Sequence, residues 1–302
     1  MALSIENICP DFLTFCERAQ GRDPAAQQQL WHTFYEAPHQ EIFDLYYSRW
    51  GNPTQLADAL NRFPGIAPMV RELSPLVEEI ITQIEPQCAR LFDAPDVVLR
   101  YVLLVGLFST NGWATTFRTK PTSFLAMEAE ENRRLRDIEI LVAHEGAHTF
   151  HASCSTFRLN DTVVGEGLFI EGLAIVASIL VSPGAPEVAY LCPGGERTLQ
   201  GQDCHEWLAE CDNRWPELRR LLLRDMERSD QGRFAAYFWG PRLQSDPTWQ
   251  ETLPSRSGYV AGYRVVSALN TVYTISDMAR WSPQRAMLET RHVLERMPAL
   301  PS

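Results

Sequence analysis

The sequence is short of basic charge: 27 Lys and Arg stand against 38 Asp and Glu, giving a formal net charge of -11. Nucleic acid and anionic membrane surfaces both demand a basic face, so neither partner is expected. A run long enough to span a bilayer is also missing. The longest apolar stretch, Leu168 to Val181, is shorter than the roughly 20 residues required and carries Glu171. Met1 to Asp11 has no basic segment followed by an apolar one, so no secretory signal is expected. The 7 cysteines (Cys9, Cys16, Cys88, Cys154, Cys192, Cys204, Cys211) are odd in number and scattered, in a chain too large to need staples. Reduced thiols and a cytoplasmic location follow as expectations. Repeats and low-complexity linkers are absent too, which excludes solenoid and linker-joined architectures.

What is present begins with 45% hydrophobic residues, ample for a sizeable core. From Glu6 to about Pro95, apolar residues recur at helical spacing through Leu30, Phe34, Ile42 and Leu45, then Leu76, Ile80, Ile81 and Ile84. Gly51-Asn52-Pro53 and Phe63-Pro64-Gly65 punctuate that stretch. Val97 to Phe108, Gly112 to Phe117 and Ser123 to Met127 read as strands of a small sheet. Asn132 is a plausible cap for a helix from Arg133 to about Ala152, with Leu135, Ile138, Leu141 and Val142 on its inner face. Gly146 in its middle costs about 1 kcal/mol relative to Ala, which implies a neighbouring helix or a substrate close to the backbone. Asn160-Asp161-Thr162 opens a second helix ending near Ser182-Pro183-Gly184, and Pro193-Gly194-Gly195 starts a loop. Further helices are predicted over Asp203 to Arg228, Gly262 to Tyr273 and Pro283 to Met297. The predicted architecture is α+β and mostly helical, with a small sheet beside the active-site helix. It divides into a helical N-terminal region, 1–94, and a catalytic region, 95–302, within one compact unit.

His144, Glu145 and His148 form an HExxH pattern on the predicted helix. Residues four apart return to nearly the same helix face, so both imidazoles can grip one metal while Glu145 points to the water beside it. Zinc held by two neutral His and a carboxylate keeps a position open for water and lowers its pKa toward about 7. Two carboxylates on the next helix, Glu166 and Glu171, compete as third ligand. They lie about 140° apart on a helix, so only one can face the metal. One zinc per chain is the expectation. His151 shares the face of His148 and suits packing or support of a ligand, since no HExxHxxGxxH pattern exists. His205 with Cys204 and Cys211 matches no zinc module. Two His and one carboxylate can also hold non-haem iron in an oxygenase, and a non-catalytic metal-binding or regulatory protein could keep the same residues. Intact Glu145 argues against the latter.

The HExxH followed by Glu171-Gly172-Leu173-Ala174 resembles the gluzincin zinc peptidases, whose aminopeptidase N-like members carry a comparable Asn-Glu-Gly-Phe-Ala segment. The combination of Val142-Ala143-His144-Glu145, Glu171-Gly172-Leu173-Ala174 and Gly258-Tyr259-Val260-Ala261-Gly262-Tyr263-Arg264 resembles a bacterial family of predicted Zn-dependent proteases. That resemblance implies a metallopeptidase acting on a peptide or protein substrate. Its ligands would be His144, His148 and Glu171, with Glu145 as general base and later proton donor. Tyr259, with Tyr263 in reserve, is the implied oxyanion stabiliser; both would share one helix face, although packing aromatics fit the pattern equally. Arg264 would clamp a substrate carboxylate or pair at the surface. There are departures. Thermolysin-like members have an Asp where this chain has Ile175. Leu125-Ala126-Met127-Glu128 is a faint echo of the Gly-Ala-Met-Glu-Asn strand of aminopeptidases; Glu128 would bind a free N-terminus if it lay at the cleft, and would otherwise be a solvated strand-end carboxylate. Asn111-Gly112-Trp113-Ala114 is a candidate edge strand for an extended peptide.

Overall fold

Between Arg100 and Ala126 the chain is rich in β-branched and aromatic residues and supplies three strands of a four-stranded sheet. The computed structural model describes residues 3–130, 135–157, 163–192, 198–199, 202–239 and 253–297. Asn132, Asn160 to Thr162 and Pro193 to Gly195 lie outside the described residues. The strands are β1 (Ser4–Asn7), β2 (Arg100–Leu104), β3 (Gly112–Phe117) and β4 (Lys120–Ala126), in the order β1-β2-β4-β3. β2 runs parallel to β1 and to β4, whereas β3 is antiparallel to β4 and forms an outer edge. The central strands carry the near-continuous apolar runs Tyr101 to Leu104 and Phe124 to Ala126, as strands covered on both faces do.

Two departures from the sequence expectation have local causes. Ser4 to Asn7, which falls partly in the predicted helical stretch, is a strand, because its backbone pairs with Arg100 to Leu103 and that partner is remote in the sequence. The predicted strand Val97 to Phe108 shrinks to Arg100–Leu104. The Tyr35 hydroxyl takes both the amide of Val105 (2.7 Å) and its carbonyl (3.1 Å), so the chain leaves the ladder there.

The N-terminal helices are α1 (Cys9–Ala19), α2 (Pro24–Trp31), α3 (Gln40–Tyr47) and α4 (Leu56–Leu91). α4 is one helix of 36 residues, passing through the Phe63-Pro64-Gly65 sequence expected to interrupt it. Its inner stripe explains why: Ala59, Phe63, Ile66, Val70, Val77, Ile81, Ile84 and Cys88 are buried at helical spacing. The four internal prolines, Pro64, Pro68, Pro75 and Pro86, fall within about 40° of one another around the axis. The first three are exposed and Pro86 is half-buried, so their missing hydrogen bonds lie away from the core.

The remaining helices are α5 (Leu135–Cys154), α6 (Val164–Val181), α7 (Glu187–Leu191), α8 (Cys204–Asn213), α9 (Trp215–Asp225), α10 (Gln231–Phe238), α11 (Ser257–Asn270), α12 (Ile275–Met278) and α13 (Pro283–Arg296). The predicted helix Asp203 to Arg228 divides at Arg214, because Pro216 occupies the first turn of α9 and cannot continue a preceding helix. α5 is central: it packs under β3 and β4 and against α4 and α6, and almost every side chain from Asp137 to His151 is buried. Among the described helices only α6 is long and apolar enough to cross a membrane, and 78% of it is buried inside the protein. The fold is therefore α+β and mostly helical, with core side chains from both ends of the chain in one continuous cluster. Phe92, just beyond α4, stacks on Phe150 of α5 at 5.4 Å.

Candidate metal centre

His144 and His148 lie one turn apart on α5, and their Nε2 atoms are 3.1 Å from each other. Oε2 of Glu171, on α6, is 3.3 Å from the first and 3.4 Å from the second. Ligand atoms placed tetrahedrally at about 2.0–2.1 Å from one zinc stand about 3.3–3.4 Å apart, so the three atoms span one face of such a tetrahedron. Oε2 of Glu171 is buried with no conventional hydrogen-bond partner among the described residues, and it lies against the two imidazoles. These three residues are the only His, Cys, Asp or Glu group among the described residues whose ligand atoms converge in this way. Two neutral nitrogens and a carboxylate suit zinc. The site therefore fits the metal that the sequence implies.

The sheet fixes α5 in register. Ser123 of β4 donates its hydroxyl to the Glu145 carbonyl (2.8 Å) and lies 2.6 Å from the Thr149 hydroxyl. Tyr101 of β2 donates to the Val142 carbonyl (3.2 Å). Its phenol also explains Gly146, where an added Cβ would sit 2.5 Å from the Tyr101 oxygen. The close neighbour at Gly146 is thus a strand side chain, in place of the helix or substrate expected from the sequence.

Glu145 is 6% exposed, and its Oε2 has no hydrogen-bond partner. Burial pushes its carboxyl up to about 7, with His148 opposing and Glu171 adding to the rise. Its side chain runs beside the start of β3: a Cβ on Gly112 would stand 3.4 Å from both Cγ and Oε1 of Glu145. The catalytic candidate thus adjoins the sheet's outer strand, whose far side pairs with no described strand.

Glu171 owes its position to a helix crossing without side chains. A Cβ on Gly172 would fall 2.1 Å from the Gly262 carbonyl oxygen, and one on Gly262 would fall 2.4 Å from that of Leu168. Glycine at both positions lets α6 and α11 touch backbone to backbone. The Glu-Gly-Leu-Ala and Gly-Tyr-x-x-Gly-Tyr segments are the two halves of this contact. The competitor Glu166 stands in the first turn of α6, half-buried, with its carboxylate accepting from the Val163 backbone, and takes no part in the cluster.

α11 also carries the two tyrosines, which the structure separates. Tyr259 is 8% exposed; burial raises its phenol, and the Glu171 and Glu145 charges raise it further, so it lies within electrostatic reach of both carboxylates. Tyr263 is half-buried, turned toward Ser267 and Glu187. Arg264 pairs with Asp212 and lies 4.6 Å over the Trp215 ring, so the guanidinium serves α8 and α9. Arg256, which no motif singles out, sits in the left-handed region (φ 57) just before α11. Its guanidinium is 4.6 Å from the Tyr259 ring and hydrogen-bonds the phenol. An arginine in an unpatterned Pro254-Ser255-Arg256-Ser257 turn carries no sequence signal.

The other candidates are structural. His151 is held between Phe157 (4.7 Å) and Phe169 (5.8 Å), and burial pushes it down to about 3, so it packs as a neutral ring. His205 is exposed while Cys204 and Cys211 are buried. Ile175 is core. Glu128 is neither solvated nor open to a substrate amine: it is 1% exposed, and its carboxylate accepts from the amides of Gly106 (2.7 Å) and Phe108 (3.3 Å).

Comparison with known proteins places these features in a family. No curated protein and no solved structure matches the chain. A family model described as "Predicted Zn-dependent protease (DUF2268)" matches residues 119–285. The matched stretch holds His144, Glu145, His148, Glu171 and Tyr259, and begins after β1, β2, β3 and the N-terminal helices. Spanning more than half of the chain, this match makes the protein a member of the DUF2268 family of predicted Zn-dependent proteases.

Proposed function

We propose that the protein is a zinc-dependent peptidase that hydrolyses peptide bonds with Glu145 as general base. One observation carries this reading: the His144, His148 and Glu171 ligand atoms converge, and a buried carboxylate with an unsatisfied oxygen, Glu145, is charge-coupled to His148 and Glu171 and adjoins Gly112 at the start of the outer strand. Held by His144, His148 and Glu171, a zinc ion would supply an acidified water and polarise a carbonyl. An extended peptide adds to the outer edge of β3, which fixes its backbone beside Glu145. Glu145 accepts the proton of the attacking water and returns it to the leaving amine. The Tyr259 hydroxyl, kept protonated by burial and by Glu171, donates to the oxygen that gains charge. Arg256 orients that phenol.

The test is elemental analysis of purified wild type and His144→Ala, with hydrolysis of a mixed peptide pool assayed alongside. About one zinc per chain, lost in the variant, together with cleavage by wild type alone supports the proposal. Iron in place of zinc would favour an oxygenase, and no metal in either protein after zinc is supplied would remove the catalyst. Glu145→Gln separates base from ligand: it should retain zinc and lose turnover.

A further inference from the structure

The β2–β3 connection, residues 105–111, is held by side chains to an extent that its length does not require. Four consecutive amides donate to them: Val105 to the Tyr35 hydroxyl (2.7 Å), Gly106 and Phe108 to Glu128 (2.7 and 3.3 Å), and Leu107 to the Tyr46 hydroxyl (2.7 Å). The Tyr46 hydroxyl also meets that of Ser109 at 2.6 Å. There is no room for a side chain at Gly106, where a Cβ would fall 2.7 Å from both Glu128 Oε1 and the Tyr46 oxygen. Phe108 is held with φ 60, a region unfavourable for a bulky residue, and the Arg62 guanidinium lies 3.3 Å from the centre of its ring. Such over-determined, strained backbone collects where a ligand is gripped.

The loop delivers the chain to Gly112, whose backbone flanks the Glu145 side chain. From there β3 runs outward, with the Tyr46 ring 5.9 Å from that of Trp113. Tyr46 and Arg62 come from α3 and α4, and Tyr35 from the π-helical turn His32–Glu36 that follows α2; these segments, the loop and β3 all precede the family match. The matched region therefore holds the candidate ligands, Glu145 and Glu128, while the loop that Glu128 grips and the strand it leads into come from earlier in the chain.

We propose that Glu128 and Tyr46 are positioning residues for peptide hydrolysis: by holding the β2–β3 loop they fix Gly112 and the edge of β3 against Glu145, so that an extended peptide is presented to the general base. This rests on the peptidase reading above. Neither residue touches the metal ligands. Their removal loosens the substrate side of the site and leaves the ligand side intact.

The experiment uses full-length, zinc-loaded protein and a fluorogenic peptide chosen from sequences that wild type cleaves. Tyr46→Phe removes a donor and acceptor without changing shape, and Glu128→Gln leaves one acceptor for two amides. Zinc content stays at the wild-type level in both, whereas KM rises about tenfold with kcat nearly constant. A merely structural role would reduce the active fraction, lowering kcat at unchanged KM.

The pH profile gives a second readout. Glu128 faces the loop amides, the Tyr46 and Tyr35 phenols, Arg62 of α4 and Cys9 of α1, and burial pushes its carboxyl up to about 7. Protonation removes an acceptor from the loop, so the KM of wild type should rise as pH falls through 7, and Glu128→Gln should flatten that rise. Cleavage by wild type with KM unchanged in both variants overturns the positioning role alone. Absence of cleavage by zinc-loaded wild type overturns the peptidase reading, and the positioning role with it.

Discussion

Replacing Gly172 with alanine tests the backbone contact between α6 and α11. The new Cβ would lie 2.1 Å from the Gly262 carbonyl oxygen, 2.4 Å from its carbonyl carbon and 2.7 Å from Val266 Cγ2. Non-bonded heavy atoms rest about 3.5 Å apart, so the helices must separate by more than about 1 Å at the crossing. A backbone carbonyl in mid-helix cannot swing aside as a flexible side chain would. Overpacking of this kind costs about 1–3 kcal/mol, offset by about 1 kcal/mol from the better helix propensity of Ala. The net loss, up to about 2 kcal/mol, lowers Tm by up to about 3 °C in a chain of this size. Activity suffers more. Glu171 precedes Gly172, and Tyr259 stands one turn before Gly262, so the shift moves the candidate ligand relative to the candidate oxyanion donor. A displacement near 1 Å costs about 100-fold in rate. Thermal unfolding, zinc retention against a chelator and kcat/KM for peptide cleavage would be measured together. The control is Gly65→Ala on α4, where an added Cβ meets nothing within 4 Å and stability should rise by up to about 1 kcal/mol. Wild-type Tm and activity in Gly172→Ala would refute the close crossing.

Four other outcomes are expected. Tyr259→Phe should lower kcat by about 100-fold with KM nearly unchanged, since the lost hydrogen bond acts on the developing charge; an equal rise in KM would assign it to substrate binding. Glu171→Gln should weaken zinc binding while Glu166→Gln leaves it at the wild-type level, read by competition with a chelator; the reverse would exchange their roles. Arg256→Ala should lower kcat without loss of zinc, because it reaches the site through Tyr259; activity equal to wild type would remove it from the site. Burial pushes Glu128 up to about 7 from 4.5, so the folded chain holds more protons than the unfolded one between those values. Wild type should therefore lose up to about 3 kcal/mol relative to Glu128→Gln as pH rises through that window, measured by denaturant unfolding at pH 5 and pH 8.

The paired imidazoles and the two helices bearing the candidate ligands were legible in the sequence because their signals are local. HExxH fixes two imidazoles on one turn, and the apolar stretches around Ile138 to Phe150 and Leu168 to Val181 read as buried helices. The choice of Glu171 over Glu166 was not legible from spacing, since it depends on how far α6 is rotated against α5, and that is set by the crossing at Gly172 and Gly262. Those glycines stood in plain view inside the two motifs, yet which backbone each would meet required the fold. Glu128 shows the opposite limit. Its Ala-Met-Glu neighbourhood suggested amine recognition, but the amides that consume its carboxylate belong to a loop 20 residues earlier. Ser4 to Asn7 became a strand for a similar reason, its partner lying nearly 100 positions away.

The aligned prolines of α4 give that helix a mechanical character. Each removes the amide that would have bonded the carbonyl four residues earlier, so the carbonyls of Leu60, Pro64, Arg71 and Thr82 lose their helical donors along one outward side. The outer side is thereby lengthened and the apolar side shortened, as in a strip cut along one edge. A rod of 36 residues, about 54 Å if straight, becomes a strap that can follow a rounded surface. Replacing these prolines would favour an isolated helix by about 3 kcal/mol each. In this chain it would also stiffen the rod along the side that faces away from Phe63, Val70, Ile81 and Cys88.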